Sequence, residues 1–321
     1  MSVSSMNVVN LQYGVLKIQV ESEQPITIPL PLENKRFPLW ISPMQLRIRL
    51  FPPEKAPQYY EVKEIPSVLC EFYSVLEELQ INFTPPNLHC NSWWVEDDYI
   101  CGYFPYETDR FLLKINPYEL LILIYGNELN LNRVILDILS CFATVPPLHG
   151  AAVRIDNRTI IMLGQSGCGK TRVMKYFMEH GATYIADEEI FWMDGNIFCC
   201  GRIMIEKDGR PSLYAQKYAE SDTTFPVTDI FLLTSDVDKD SLPALLPVIA
   251  RQSFWAQVLI DSKKALPMIE RLKVGYVKYL ELFNNAKHFR ILQDWFSESI
   301  NEIEAYLNLS ELISNVEIGK T

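Results

Sequence analysis

The sequence predicts an α/β chain in two parts: a β-rich first part over residues 1–143 and a phosphate-loop domain over residues 144–321. Three observations predict it. Short alternating apolar segments punctuated by prolines fill the first part. After Pro146-Pro147 the pattern changes to strands alternating with helices, as in α/β domains. A glycine-rich run at 164–171 lies between an apolar strand and a helix.

In the first part, residues 15–20 (Val-Leu-Lys-Ile-Gln-Val) and 45–50 (Gln-Leu-Arg-Ile-Arg-Leu) alternate with the period of a half-buried strand. Pro25, Pro29, Pro31, Pro38, Pro43, Pro52 and Pro53 favour short strands and loops over long helices. Val68, Phe72, Val75, Leu76 and Leu79 have helical spacing and predict a helix over 68–79. The apolar run 120–125 reads as a buried strand or a helix end. Leu131, Val134, Ile135, Ile138, Leu139 and Phe142 form one apolar stripe, predicting a helix over 131–142 that Pro146-Pro147 terminates.

In the second part, strands are expected at 151–155 and 159–163, joined by a turn at Asp156-Asn157-Arg158. A helix over 169–180 follows, with Gly181 as its stop, and a strand at 182–186. Asp194-Gly195 between two apolar runs predicts a hairpin, and 228–234 another strand. Helices are expected over 242–259 and 289–307.

Composition narrows the function classes. Lys and Arg number 29 against 40 Asp and Glu, a formal net charge of −11. A nucleic-acid binder needs a basic face to displace phosphate counterions, so no nucleic-acid partner is expected. No stretch approaches the ~20 apolar residues that span a bilayer, and the N-terminus lacks a basic segment followed by a long apolar run. Neither a membrane partner nor a signal peptide is expected. The seven cysteines (Cys70, Cys90, Cys101, Cys141, Cys168, Cys199, Cys200) include no C-x-x-C pair. Neither a disulfide framework nor a zinc site is expected, and the location reads as cytoplasmic.

The chemistry concentrates in Gly164-Gln165-Ser166-Gly167-Cys168-Gly169-Lys170-Thr171, which satisfies G-x-x-x-x-G-K-[ST]. Glycines let the backbone curl until its N–H groups point at phosphate oxygens. Lys170 is expected to reach the β and γ phosphates of ATP, and the Thr171 hydroxyl to bind Mg²⁺. The next helix offers its positive N-terminal end to the same phosphates. Arg172 follows directly and is a candidate nucleotide contact.

Asp187-Glu188-Glu189 closes the strand at 182–186, where ligands of open α/β sheets sit. One carboxylate can help hold Mg²⁺ and another can accept the proton of an attacking hydroxyl. The alternative for such a run is a solvated acidic loop. His149 precedes the strand that leads to the phosphate loop; alone beside Pro-Pro-Leu it fits a packed or capping residue. His89, His180 and His288 carry no assigned role.

Leu148-His149-Gly150-Ala151-Ala152-Val153, then the phosphate loop, then Gly181-Ala182-Thr183-Tyr184-Ile185-Ala186-Asp187-Glu188 resembles the catalytic domain of HPr kinase/phosphorylase and its relatives. His149 stands 21 positions before Lys170, and Asp187 stands 17 after it, as that layout requires. The resemblance covers residues 148–189. It implies a fold akin to phosphoenolpyruvate carboxykinase, with a bent mixed sheet. It implies Asp187 as the base toward a serine hydroxyl, Glu188 as a Mg²⁺ ligand alongside Thr171, and His149 near the transferring phosphate. The second acidic residue is Glu188 where the family carries Asp, and no E-x-R-G-x-G follows. These departures resemble the divergent branch that includes kinases of lasso peptide precursors, whose acceptor is a peptide serine.

Transition-state charge calls for a further cation, with Arg202, Arg210, Lys217 and Arg251 as candidates. The function expected is therefore an ATP- and Mg-dependent kinase of a serine on a peptide or protein. A nucleotide-dependent switch without phosphotransfer and a kinase of a small hydroxylated metabolite stand as alternatives, and phosphate-dependent reversal of the reaction is undecided. The first part is expected to recognise the acceptor or to build a homo-oligomer. Trp93, Trp94, Tyr99, Tyr103 and Phe104 either line a peptide groove or fill the core.

Overall fold

The computed structural model describes residues 6–26, 34–57, 92–106, 109–116, 118–145, 147–164, 167–198, 224–234, 286–291 and 296–318. They form two seven-stranded mixed sheets with few helices.

The first sheet contains β1 (Asn7–Tyr13), β2 (Leu16–Ser22), β3 (Met44–Phe51), β4 (Ser92–Glu96), β5 (Tyr99–Tyr106), β6 (Asp109–Asn116) and β7 (Leu121–Tyr125). Its order is β1-β2-β3-β7-β6-β5-β4. β2, β3 and β7 run parallel, and the remaining pairs are antiparallel. The alternation predicted for 15–20 and 45–50 is the pleat itself. Leu16, Ile18 and Val20, then Leu46, Ile48 and Leu50, all point into the core. The run at 120–125 is a strand, not a helix end.

The connecting helix α1 (Glu128–Phe142) departs from the single apolar stripe that its spacing predicts. Leu136, Cys141, Asn132, Asp137 and Ser140 are buried as well as the stripe residues. The reason is its position. One hydrophobic cluster takes in β1–β3 and β7, most of α1, and residues of the second sheet including Leu148, Ala152, Leu163, Ile190 and Phe191. A helix covered by two sheets is buried on more than one face.

The second sheet contains β8 (Leu148–Ile155), β9 (Arg158–Leu163), β10 (Thr183–Met193), β11 (Asn196–Phe198), β12 (Thr224–Pro226), β13 (Asp229–Thr234) and β14 (Lys287–Arg290). Its order is β12-β11-β10-β8-β9-β13-β14. β9, β13 and β14 are parallel, and the other pairs antiparallel. Helix α2 (Lys170–Glu179) covers one face, where Val173, Met174, Phe177 and Met178 pack on Ala151, Val153, Ile160 and Met162. Helix α3 (Phe296–Ile318) adds Ile300 and Ile303 to that cluster. The hairpin at Asp194-Gly195 is present, with Met193 opposite Asn196.

Two expectations need correction. Phe289 does not begin a helix: Lys287–Arg290 pairs in parallel with β13, and the helix starts at Phe296. Pairing with an existing edge overrides the helical spacing of a short apolar run. The strand at 182–186 does not end at Asp187 either. It continues through Met193 as one strand, so the three carboxylates lie within β10. The helices expected at 68–79 and 242–259 lie outside the described residues, as do Cys70, Cys90, Cys199 and Cys200. Cys101, Cys141 and Cys168 are buried and form no disulfide.

Phe37 ties the sheets together. It is 2% exposed and meets Tyr13 of β1, Phe191 of β10 and Phe198 of β11 edge-on, at centroid distances of 6.2, 4.9 and 6.4 Å. Replacing it leaves a cavity between two rigid layers. Phe37→Ala is expected to cost about 3–5 kcal/mol in urea unfolding; a loss below ~1 kcal/mol would contradict this role.

Candidate functional site

The glycine-rich loop forms where β9 ends, and its shape follows from two glycines. Gly164 has φ +151°, and a Cβ there would stand 2.3 Å from the Leu233 carbonyl oxygen and 2.6 Å from Cys168 Sγ. Only glycine lets the loop lie against β13 in this way. Gly169 caps α2 at φ +102° with no side-chain cap. A Cβ there would press on Ile291, which follows β14 and donates its N–H to Thr234 O at 2.8 Å.

Lys170 opens α2 and is 6% exposed. Its Nζ donates to Gly164 O at 2.8 Å and lies 3.9 Å from Cys168 Sγ, so the ammonium is held over the start of its own loop. The first turn of α2 has no acidic residue and carries Lys170 and Arg172. Cations at the positive end of a helix dipole are unfavourable in isolation. With backbone N–H groups that no side chain caps, they make a site that suits an anion. Thr171 is exposed on this turn. The Arg172 guanidinium lies over the Phe296 ring, 4.0 Å from its centroid, which draws it toward α3.

The sheet register brings the acidic segment to the same level. Met162 of β9 pairs with Ala151 of β8, which pairs with Asp187 of β10. Leu163, Gly150 and Glu188 make the next row. Two inter-strand steps separate β9 from β10, roughly 10 Å. Asp187 therefore stands level with the root of the glycine-rich loop.

Its face is set by a bulge. Tyr184 pairs with Val153 and Ala186 with Ala152, so Ile185 is an extra residue. Without it Asp187 would fall opposite Gly150, on the α1 face. With it, Asp187 shares the face of Ala151, which α2 covers. Asp187 is buried, which does not fit a solvated acidic loop.

His149 pairs with Glu189 on β10. Extending the β8–β9 register by one residue sets His149 opposite Gly164. Glu189 is 3% exposed and accepts a hydrogen bond from Ser140 Oγ of α1 at 2.8 Å. The sequence alone assigns no role to Ser140 or Glu189. The available signal is a serine inside the apolar run of α1 and an acidic residue directly before Ile190-Phe191.

Among the described residues, the register sets Asp187 and His149 level with the end of β9, in the central strands of the second sheet, and Gly164, Gly167, Cys168, Gly169, Lys170 and Thr171 continue from that end. Glu188 joins them by backbone register alone. Gln165, Ser166, Arg202, Arg210, Lys217 and Arg251 lie outside the described residues. Of the aromatic candidates, Tyr99 packs against Cys101 and Leu112, which favours the core reading for it. No helix among the described residues is long and apolar enough to cross a membrane. No group of three or more His, Cys, Asp or Glu side chains gathers there as a metal cage. Mg²⁺ does not need one, since it keeps waters and phosphate oxygens beside one or two protein oxygens. No family model matches the chain, and no curated protein matches it in sequence.

The two loop glycines separate cleanly. Gly164→Ala meets the Leu233 backbone and distorts the loop, so whatever ATP affinity calorimetry finds in the wild type is expected to be lost. Gly167 has φ +85° and open space where a Cβ would stand, with nothing within 4 Å of it. Gly167→Ala therefore adds backbone strain of only about 1–2 kcal/mol. Equal affinities in the two variants would contradict the packing argument.

Proposed function

We propose that the chain is an ATP- and Mg-dependent kinase that transfers the γ-phosphoryl group to a hydroxyl, a serine on a peptide or protein. The observation that carries this reading is the loop geometry: a glycine backbone packed on β13, a buried lysine folded over it, and an uncapped helix start. The resemblance of residues 148–189 to the HPr kinase-like catalytic domain supports it. On this reading the second part of the chain is a phosphate-loop kinase domain of the HPr kinase and phosphoenolpyruvate carboxykinase type.

The division of labour follows from position. Backbone N–H groups of the loop and of the first turn of α2 bind the β and γ phosphates, and Lys170 neutralises their charge. Thr171, with waters and phosphate oxygens, would hold Mg²⁺, which would draw charge off the β and γ oxygens; Glu188, which the resemblance assigns to the metal, pairs with Gly150 in the row next to Asp187. Asp187 accepts the proton of the serine hydroxyl as its oxygen bonds to the γ phosphorus. The bond from that phosphorus to the β–γ bridging oxygen breaks, and ADP leaves. Burial on the α2 face keeps Asp187 in a fixed position at the level of the loop.

The bulged register of β10 favours this reading over a nucleotide-dependent switch. A switch needs an anion site but no acceptor base, whereas the bulge turns a carboxylate onto the face that carries the phosphate loop.

Two variants test it with γ-labelled ATP. Asp187→Asn is expected to keep ATP affinity while label transfer falls on the order of 10²-fold or more. Lys170→Met is expected to lose both. Transfer by Asp187→Asn at the wild-type rate would exclude Asp187 as the base.

A further inference from the structure

The Ser140–Glu189 hydrogen bond links α1 to the strand that carries Asp187. Its two residues are 1% and 3% exposed and 49 positions apart in sequence. A carboxylate so far from water needs a reason to be there, since burying it is costly unless hydrogen bonds hold it. The register supplies a candidate. Glu189 is the direct cross-strand partner of His149, which brings their Cβ atoms to about 5 Å while the Glu189 carboxylate reaches Ser140 of α1. On the other side of β8, His149 falls level with Gly164, whose carbonyl receives the Lys170 ammonium. Glu189, His149 and the first residue of the phosphate loop therefore form one row across β10, β8 and the end of β9.

We propose that Glu189 is a positioning residue: held by Ser140, it orients the imidazole of His149 toward the phosphate loop. A carboxylate accepts from one ring N–H and so fixes both the ring plane and the tautomer, leaving the other nitrogen directed away from it. Ser140 completes the arrangement by restraining the carboxylate. The neighbouring turns of α1 are anchored to the first part of the chain, since Trp40 Nε1 donates to Cys141 O at 3.0 Å and the Thr144 N–H to Pro38 O at 3.0 Å. The orientation of His149 thus depends on a helix packed against the first sheet. The catalytic consequence rests on the phosphotransfer reading; the contact itself does not.

Nitrogen-15 NMR of the histidine side chains decides the contact, with His149→Ala assigning its signals among the four histidines. Glu189→Gln preserves the shape and an acceptor for Ser140, so it is the first variant; Ser140→Ala is the second. The expected result is that both shift the His149 ring nitrogens while the other three histidines stay in place. Unmoved His149 signals in Glu189→Gln would overturn the proposal. Where the wild type transfers phosphate, kinetics add a second readout. Glu189→Gln is expected to lower kcat on the order of tenfold with little change in KM for ATP, and to have no further effect in a His149→Ala background. Losses that simply add would overturn the positioning role. A wild type that binds ATP and transfers nothing refutes the kinase reading, and the NMR result then decides the contact alone.

Discussion

The contact of Gly164 with the backbone of Leu233 is the constraint on which the site depends. It fixes where β9 stops being a strand and where the loop begins to turn. It also fixes the carbonyl that receives the Lys170 ammonium, and with it the start of α2. The helix then covers the face of β8 and β9 through Val173, Met174, Phe177 and Met178. A side chain at this one position would shift loop, lysine and helix together, because close-packed layers transmit displacement instead of absorbing it.

The second determinant is the extra residue in β10. A strand alternates its side chains, so one inserted residue exchanges the faces of the residues that directly follow it. Ile185 and Ala186 both enter the cluster shared with α1, and Asp187 emerges on the other face, opposite Ala151. The chemistry proposed for Asp187 is thus a product of backbone irregularity as much as of residue type. The same strand reaches further, to Phe191 beneath Phe37, and so joins the site to the first sheet.

Much of this was legible in the sequence, and for identifiable reasons. The turn between β9 and α2 could be read because glycines mark it between an apolar run and a helical one. The strands 16–22 and 44–51 could be read because each buries one face, and the alternation follows. The burial of α1 on more than one face could not, since a helix gives no sign of how many layers will cover it. The strand at Lys287–Arg290 could not, because its partner β13 lies far away in sequence. The bulge at Ile185 leaves no local trace: Tyr184-Ile185-Ala186-Asp187 reads as an ordinary strand end. The Ser140–Glu189 pair was hidden for the same reason, as neither residue is informative without the other.

The central claim is that phosphate leaves ATP for a serine oxygen and not for water. The most direct test is mass spectrometry of reactions containing ATP with an ¹⁸O-labelled γ-phosphate, Mg²⁺ and serine-containing peptides encoded beside this gene. The labelled phosphoryl group on a peptide serine, located by fragmentation, is the result expected. Labelled inorganic phosphate as the sole product, with every peptide unmodified, would contradict the account and identify an NTPase that has no acceptor.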